Sequence, residues 1–204
     1  MRIELQDIAK KYHRSYLFRN INLSFDKGTS YAILGPNGSG KSTLLKIISG
    51  YVSATKGKVL WYDDDDKEIE RVLYHQYFSF TSPYLELFDE LNLEEHLRLH
   101  FQLKKMRHGI TLDGIIERGM FQEHRKKLLK HFSSGMLQRL KLCMALFSND
   151  PILLLDEPCT NLDETGVNWY RDLVQSYIGN KLVIIASNQA HEYDFCDKEV
   201  RLNE

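Results

Sequence analysis

The stretch "GPNGSGKST", Gly35 to Thr43, limits what this chain can fold into more than any other segment. It follows a strand-like run, "TSYAILG", and precedes "KSTLLKIISG", whose apolar Leu44, Leu45, Ile47 and Ile48 predict a buried helix closed by Gly50. Gly35, Gly40, Lys41 and Ser42 satisfy GxxxxGK[ST] in the strand, loop, helix setting that the pattern requires. Backbone N–H groups have to turn inward around phosphate oxygens, and glycines keep side chains out of their way. The helix N-terminus adds positive potential, Lys41 is placed to neutralise β and γ phosphates, and Ser42 can put its hydroxyl on Mg²⁺. The candidate nucleotide-binding set is therefore Gly35, Pro36, Asn37, Gly38, Ser39, Gly40, Lys41, Ser42 and Thr43.

A phosphate loop is shared by kinases, GTPases and ATPases, and a second motif narrows the choice. "ILLLDEP" places Asp156 at the end of an apolar strand, where a carboxylate is costly unless it meets a cation. Mg²⁺ shared with Ser42 supplies one, which makes Ser42 and Asp156 the candidate metal ligands. Glu157, one residue on, is positioned to polarise an attacking water and is, with Lys41, the candidate catalytic residue. A GTPase lacks support, because "NKLV" at 180–183 does not supply the aspartate of NKxD.

Around these motifs the chain alternates. "RIELQDI", "INLSF", "GKVLWY" and "RVLYHQYFSF" read as strands, the last two separated by a charged turn, "DDDDKEIE". From about Asn92 to His131 the sequence turns charged and helix-forming. A helix from about Ser134, the strand "PILLLD", a helix from about Asp163, the strand "KLVIIAS" and a final "KEVRL" follow. This order predicts an α/β fold, a phosphate-loop NTPase core with a mostly parallel sheet, antiparallel N-terminal strands and an inserted helical lobe. One domain over 1–204 is expected, with the core at 1–83 and 132–204 and the lobe at about 84–131.

Lysine plus arginine (27) nearly cancel aspartate plus glutamate (28), so no global field favours nucleic acid or an anionic membrane. The basic run "HRKKLLKH" at 124–131 reads as a solvated helix face, and no nucleic-acid partner is expected. Cys143, Cys159 and Cys196 are odd in number and widely spaced, which argues against a disulfide framework and a zinc site and favours a reducing cytosol. His96, His100, His108 and His124 lie on charged helical sequence and read as surface or partly buried. No apolar run approaches the ~18 residues of a spanning helix, so any membrane role is expected through another polypeptide.

Together, "GPNGSGKST", "ILLLDEP" and "FSSGMLQRL" resemble the motifs of ATP-binding cassette (ABC) ATPases, and the resemblance runs over nearly the whole chain. "FSSGMLQRL" resembles the LSGGQ signature, with Ser134 at the first glycine and Met136 at the glutamine, and it lies upstream of Asp156 at family-like spacing. The resemblance implies an ATPase that dimerises head to tail around MgATP, with Ser133, Ser134 and Gly135 acting on the partner's nucleotide. It implies a second cassette, with a homodimer favoured over a sister protein, and separately encoded membrane-spanning subunits that hold the chain at the cytoplasmic face of the cell membrane. Tyr12 resembles the aromatic that stacks on adenine, or is a surface strand residue; Asp163 resembles the aspartate that crosses the dimer interface, or caps its helix.

Two positions depart from that pattern. The switch histidine is replaced by Ser187 or Asn188, with His191 several residues too late. The glutamine that touches Mg²⁺ falls near Ser82 and Pro83, with Gln76 too early. Losing one transition-state donor commonly slows chemistry by ~10²–10³-fold. The alternative to a working motor is accordingly a slow or non-hydrolysing ATP-dependent clamp.

Overall fold

The chain folds around two sheets in this computed structural model, which describes residues 1–202. β1 (Arg2–Tyr12) pairs antiparallel with β2 (Ser15–Asp26) on one side and with β4 (Lys56–Tyr62) on the other. β5 (Glu68–Ile69) completes the order β2-β1-β4-β5. The second sheet contains β3 (Ser30–Leu34), β6 (Phe78–Thr81), β7 (Ile152–Asp156), β8 (Leu182–Ala186) and β9 (Lys198–Arg201). Its order is β6-β7-β8-β3-β9, and every neighbouring pair is parallel.

Parallel strands need crossovers, and the crossovers here are mainly helices that cover the sheet. Every residue of β3, β7 and β8 is buried as a result, which is why these strands read as unbroken apolar runs rather than alternating ones. α1 (Lys41–Ile48) packs its Leu44, Leu45, Ile47 and Ile48 into a core shared with Ile33, Leu154 and Ile184 and with Ile3 and Trp61 of the antiparallel sheet. α4 (Ser134–Phe147) and α5 (Glu164–Tyr177) build a second core with Leu153, Leu155 and Ile185. Alternate residues of β7 thus feed the two cores.

α2 (Leu93–Leu103) and α3 (Leu112–Arg118) fall within the expected lobe, with 3₁₀ turns at Gln122–His124 and Leu129–His131. α2 starts at a reciprocal capping box between Asn92 and Glu95. Its Glu94 carboxylate accepts from Arg98, Arg125 and Lys126, so part of the basic run "HRKKLLKH" closes an ion-pair network within the lobe. His96 is more deeply buried than the expected surface or partly buried position, being 6% exposed, because it lies on the core side of α2 beside Leu93 and Leu97. Burial also pushes the His100 ring down to about 4.

"RVLYHQYFSF" is not a single strand: Arg71–Gln76 forms 3₁₀ turns, and only Phe78–Thr81 enters the sheet. Tyr74 decides this. Its ring stacks on Trp61 at 4.3 Å between centroids, and its hydroxyl donates to the Val59 carbonyl at 3.1 Å. That packing outweighs the strand preference of the local sequence. The acidic run is a turn, as its charge suggests, but its last residues join β5. Asp64 pairs with Lys27 at 2.6 Å and with the N-terminal ammonium, pinning the turn to the antiparallel sheet.

Candidate nucleotide site

The loop from Gly35 to Gly40 runs from the end of β3 into α1. Gly40, the N-cap of α1, has φ +98°, and a Cβ there would lie 2.8 Å from the Leu17 and Phe18 side chains. Both facts require glycine. The first helical bond runs from Leu44 N–H to Gly40 C=O at 2.8 Å, leaving the amides of Lys41, Ser42 and Thr43 without an acceptor inside the helix. Ser39 Oγ is buried and has no hydrogen-bonding partner among the described residues. A phosphate satisfies this arrangement of donors.

Lys41 is 6% exposed, and its ammonium donates to the carbonyls of Gly35 at 2.8 Å and Pro36 at 3.2 Å. Burial lowers its pKa, while Glu157 and Asp156 raise it. Pro36, Asn37 and Gly38 form the exposed crest of the loop.

Beneath the loop, Ser42 donates to Asp156 Oδ1 at 2.7 Å. Asp156 ends β7 and is 1% exposed; burial pushes its carboxyl up, against the opposing effect of the Ser42 hydroxyl. Paired oxygen donors, one of them a carboxylate in a dry setting, fit Mg²⁺. Glu157 is held beside them at φ +43°, a costly conformation for a side chain of its size. Its amide donates to Ala186 of β8 at 2.9 Å, and its carboxylate receives only a long, 3.4 Å bond from Thr160. The carboxylate is therefore positioned by backbone and left nearly free chemically.

The position after β8 separates the two switch candidates. Ser187 is fully buried and accepts from the Gln189 amide at 2.9 Å. Asn188 is exposed and donates to Asn37 Oδ1 at 2.7 Å, so it is Asn188 that touches the phosphate loop. Tyr12 ends β1 half-exposed, with the Lys10 ammonium 4.8 Å from its ring centre. At the expected glutamine, Ser82 and Pro83 instead offer carbonyls to Lys141 of α4, at 3.5 and 2.8 Å. Sequence reading missed Lys141, whose pKa burial lowers; a lysine within an apolar helix was the available signal.

Ser133 is the N-cap of α4, accepting from the Met136 amide at 3.2 Å, and Ser133 and Ser134 are exposed. A Cβ on Gly135 would lie 2.9 Å from the Asn161 carbonyl, so glycine here lets α4 approach the segment after Glu157. Asp163 caps α5, accepting from Gly166 N–H at 2.8 Å and from the Thr165 hydroxyl at 2.9 Å. Capping is thus its observed role, and the Gly166 amide is the first cause of its lowered pKa.

A parallel sheet, a glycine loop at a helix N-terminus and a paired serine and aspartate beneath it define a phosphate-loop NTPase. The chain matches the ABC transporter family over residues 18–160, more than half its length, and belongs to that family. It is 28% identical over 191 residues to the lantibiotic transport ATP-binding protein SrtF of Streptococcus pyogenes, covering 91% of this chain and 79% of that one. It is 30% identical over 210 residues to the uncharacterized ABC transporter ATP-binding protein YybJ of Bacillus subtilis, covering 98% and 92%. Its fold is similar to that of the dimeric post-hydrolysis state of the ATP-binding cassette MJ0796 bound to ADP and Pi, with a TM-score of 0.82, 23% identity and coverage of 98% and 94%. The chain is an ATP-binding subunit with ATPase function, the class to which these relatives belong.

Proposed function

We propose that two copies of this chain pack head to tail around two ATP molecules, and that the cycle of closure and hydrolysis drives a membrane-spanning partner at the cytoplasmic face. The observation that carries this reading is the Ser42–Asp156 bond at 2.7 Å beneath the phosphate loop, with Glu157 held next to it in a strained backbone. Ser42 and Asp156 hold Mg²⁺, which neutralises phosphate charge. Lys41 leaves the Gly35 and Pro36 carbonyls for the β and γ phosphates, a short move for a flexible ammonium. Glu157 orients water for attack on the γ-phosphorus and draws its proton. Asn188 donates near the γ-phosphate from its place beside Asn37. Tyr12 stacks on the adenine.

The exposed N-terminus of α4, with Ser133, Ser134 and Gly135, closes over the partner's γ-phosphate, and Asp163 lines the same interface. ATP then joins the two subunits, and its hydrolysis releases them. Among the described residues no helix is long and apolar enough to cross a membrane, which fits separately encoded spanning subunits. Retention of Glu157 in this geometry favours a motor over a non-hydrolysing clamp.

The test is steady-state ATP hydrolysis by wild type and Glu157→Gln, with dimerisation followed by light scattering. Loss of a general base predicts a fall of about 10²–10⁴-fold, with an ATP-stabilised dimer that persists. Equal turnover in the two proteins would refute the role of Glu157.

A further inference from the structure

Two segments that follow neighbouring strands meet behind Glu157. Cys159 lies two residues beyond it, and α6 (Ala190–Tyr193), after β8, brings His191 and Glu192. One ligand atom from each of Cys159, His191 and Glu192 lies within 4.8 Å of the others. Glu192 is 1% exposed; its Oε1 accepts from the Cys159 amide at 2.7 Å, its Oε2 is buried with no well-formed hydrogen bond among the described residues, and the Ser187 hydroxyl and the Cys159 thiol lie beside the carboxylate. A buried carboxylate oxygen served only by such neighbouring hydroxyl and thiol groups, without a well-formed bond, is costly, and a cation satisfies it better. Cys159 is 6% exposed, and burial pushes its thiol up; His191 is partly exposed and gives access from solvent.

The geometry points to a zinc site formed by Cys159 Sγ, an imidazole nitrogen of His191 and the Glu192 carboxylate, distinct from the Mg²⁺ position at Ser42 and Asp156. Sulfur, nitrogen and oxygen donors suit Zn²⁺ and disfavour Mg²⁺. Thiolate, carboxylate and neutral imidazole together carry two negative charges, matching the ion. Zinc bond lengths of 2.0–2.3 Å place tetrahedral ligands about 3.3–3.8 Å apart. With the ligand atoms all within 4.8 Å of one another, closing to that geometry takes shifts of at most about 1.5 Å, leaving a fourth position for water. Binding displaces the Cys159 proton to solvent, so the ion has to overcome the raised thiol pKa.

Occupation ties the segment after β7 to the segment after β8. Glu157 lies in the first of these and Asn188 in the second, so the bound ion restricts both and slows ATP turnover. This consequence rests on the proposed function, whereas metal binding does not.

Zn²⁺ is titrated into the metal-free full chain against a competing chelator, and Co²⁺ serves as a spectroscopic probe. One Zn²⁺ per chain is expected, with a thiolate-to-cobalt charge-transfer band. Cys159→Ser, His191→Ala and Glu192→Gln should each bind at least ~100-fold more weakly, beyond the 10–100-fold typical of an outer-shell partner. His191→Ala, at a partly exposed position, guards against variants that fail to fold, and circular dichroism checks all three. Zn²⁺ should also raise the melting temperature of wild type but not of Cys159→Ser, and slow ATP turnover by wild type but not by His191→Ala. Absence of stoichiometric binding, absence of the charge-transfer band, or affinity unchanged by all three substitutions overturns the site. Tight binding without any wild-type turnover would overturn the ATPase reading and leave the metal site standing.

Discussion

Replacing Asp156 with asparagine should make the nucleotide-free chain more stable and the nucleotide site worse. Asp156 is 1% exposed, burial is the main cause of its raised pKa, and the Ser42 hydroxyl only partly compensates. Asparagine keeps the shape and can still accept from Ser42, but it carries no charge to desolvate. Each unit by which the folded pKa stands above the unfolded one costs the charged form about 1.4 kcal/mol of stability at neutral pH, and the neutral amide is spared that cost. At ~2–4 °C per kcal/mol for a domain of this size, one such unit is worth at least about 2 °C in melting temperature. The pH dependence follows from the direction of the shift. With the folded pKa above the unfolded one, the folded state binds more protons in that window, so stability falls as pH rises through it. The advantage of Asp156→Asn should therefore be full at neutral pH and shrink as pH falls toward 3.8, the ordinary aspartate value. Adding MgATP at 100 times its Kd should stabilise wild type by about 2.7 kcal/mol, and the variant by far less. Scanning calorimetry over pH, with and without MgATP, measures all of this. An Asp156→Asn protein less stable than wild type at pH 7 without nucleotide, or stabilised equally by MgATP, would refute the reasoning.

Ser133→Arg removes the cap of α4, costing about 1 kcal/mol in thermal unfolding, and should abolish ATP-driven dimerisation of the Glu157→Gln protein by size-exclusion chromatography; an intact dimer would exclude the signature role. Asn188→Ala removes the donor to Asn37 and should lower turnover by about 10²-fold with ATP affinity little changed, as single-turnover kinetics would show. Leu154→Ala, at a fully buried position on the β7 face shared with Asp156, should cost about 2–5 kcal/mol in urea unfolding.

The phosphate loop was legible because its requirements are local. Glycines that admit phosphate, a strand before them and a helix after them are all contiguous in "TSYAILGPNGSGKSTLLKIISG". The apolar strand ending in Asp156 and Glu157 was legible for a similar reason, since a carboxylate at the edge of an apolar run needs a cation. Where packing between distant segments decided the outcome, local pattern fell short. Tyr74 took "RVLYHQ" out of the sheet by stacking on Trp61, and His96 was drawn into the lobe's core by the helical face it shares with Leu93 and Leu97.

The sequence by itself determined the loop, its helix and the acidic strand end, because each depends on neighbours along the chain. Only the tertiary structure decided which residues meet across it. The parallel pairing of β7 with β8 and of β8 with β3 sets Asp156 against Ser42, Asn188 against Asn37 and Glu192 against Cys159. Parallel register depends on crossovers and cores assembled from residues far apart in sequence, so no local motif states it.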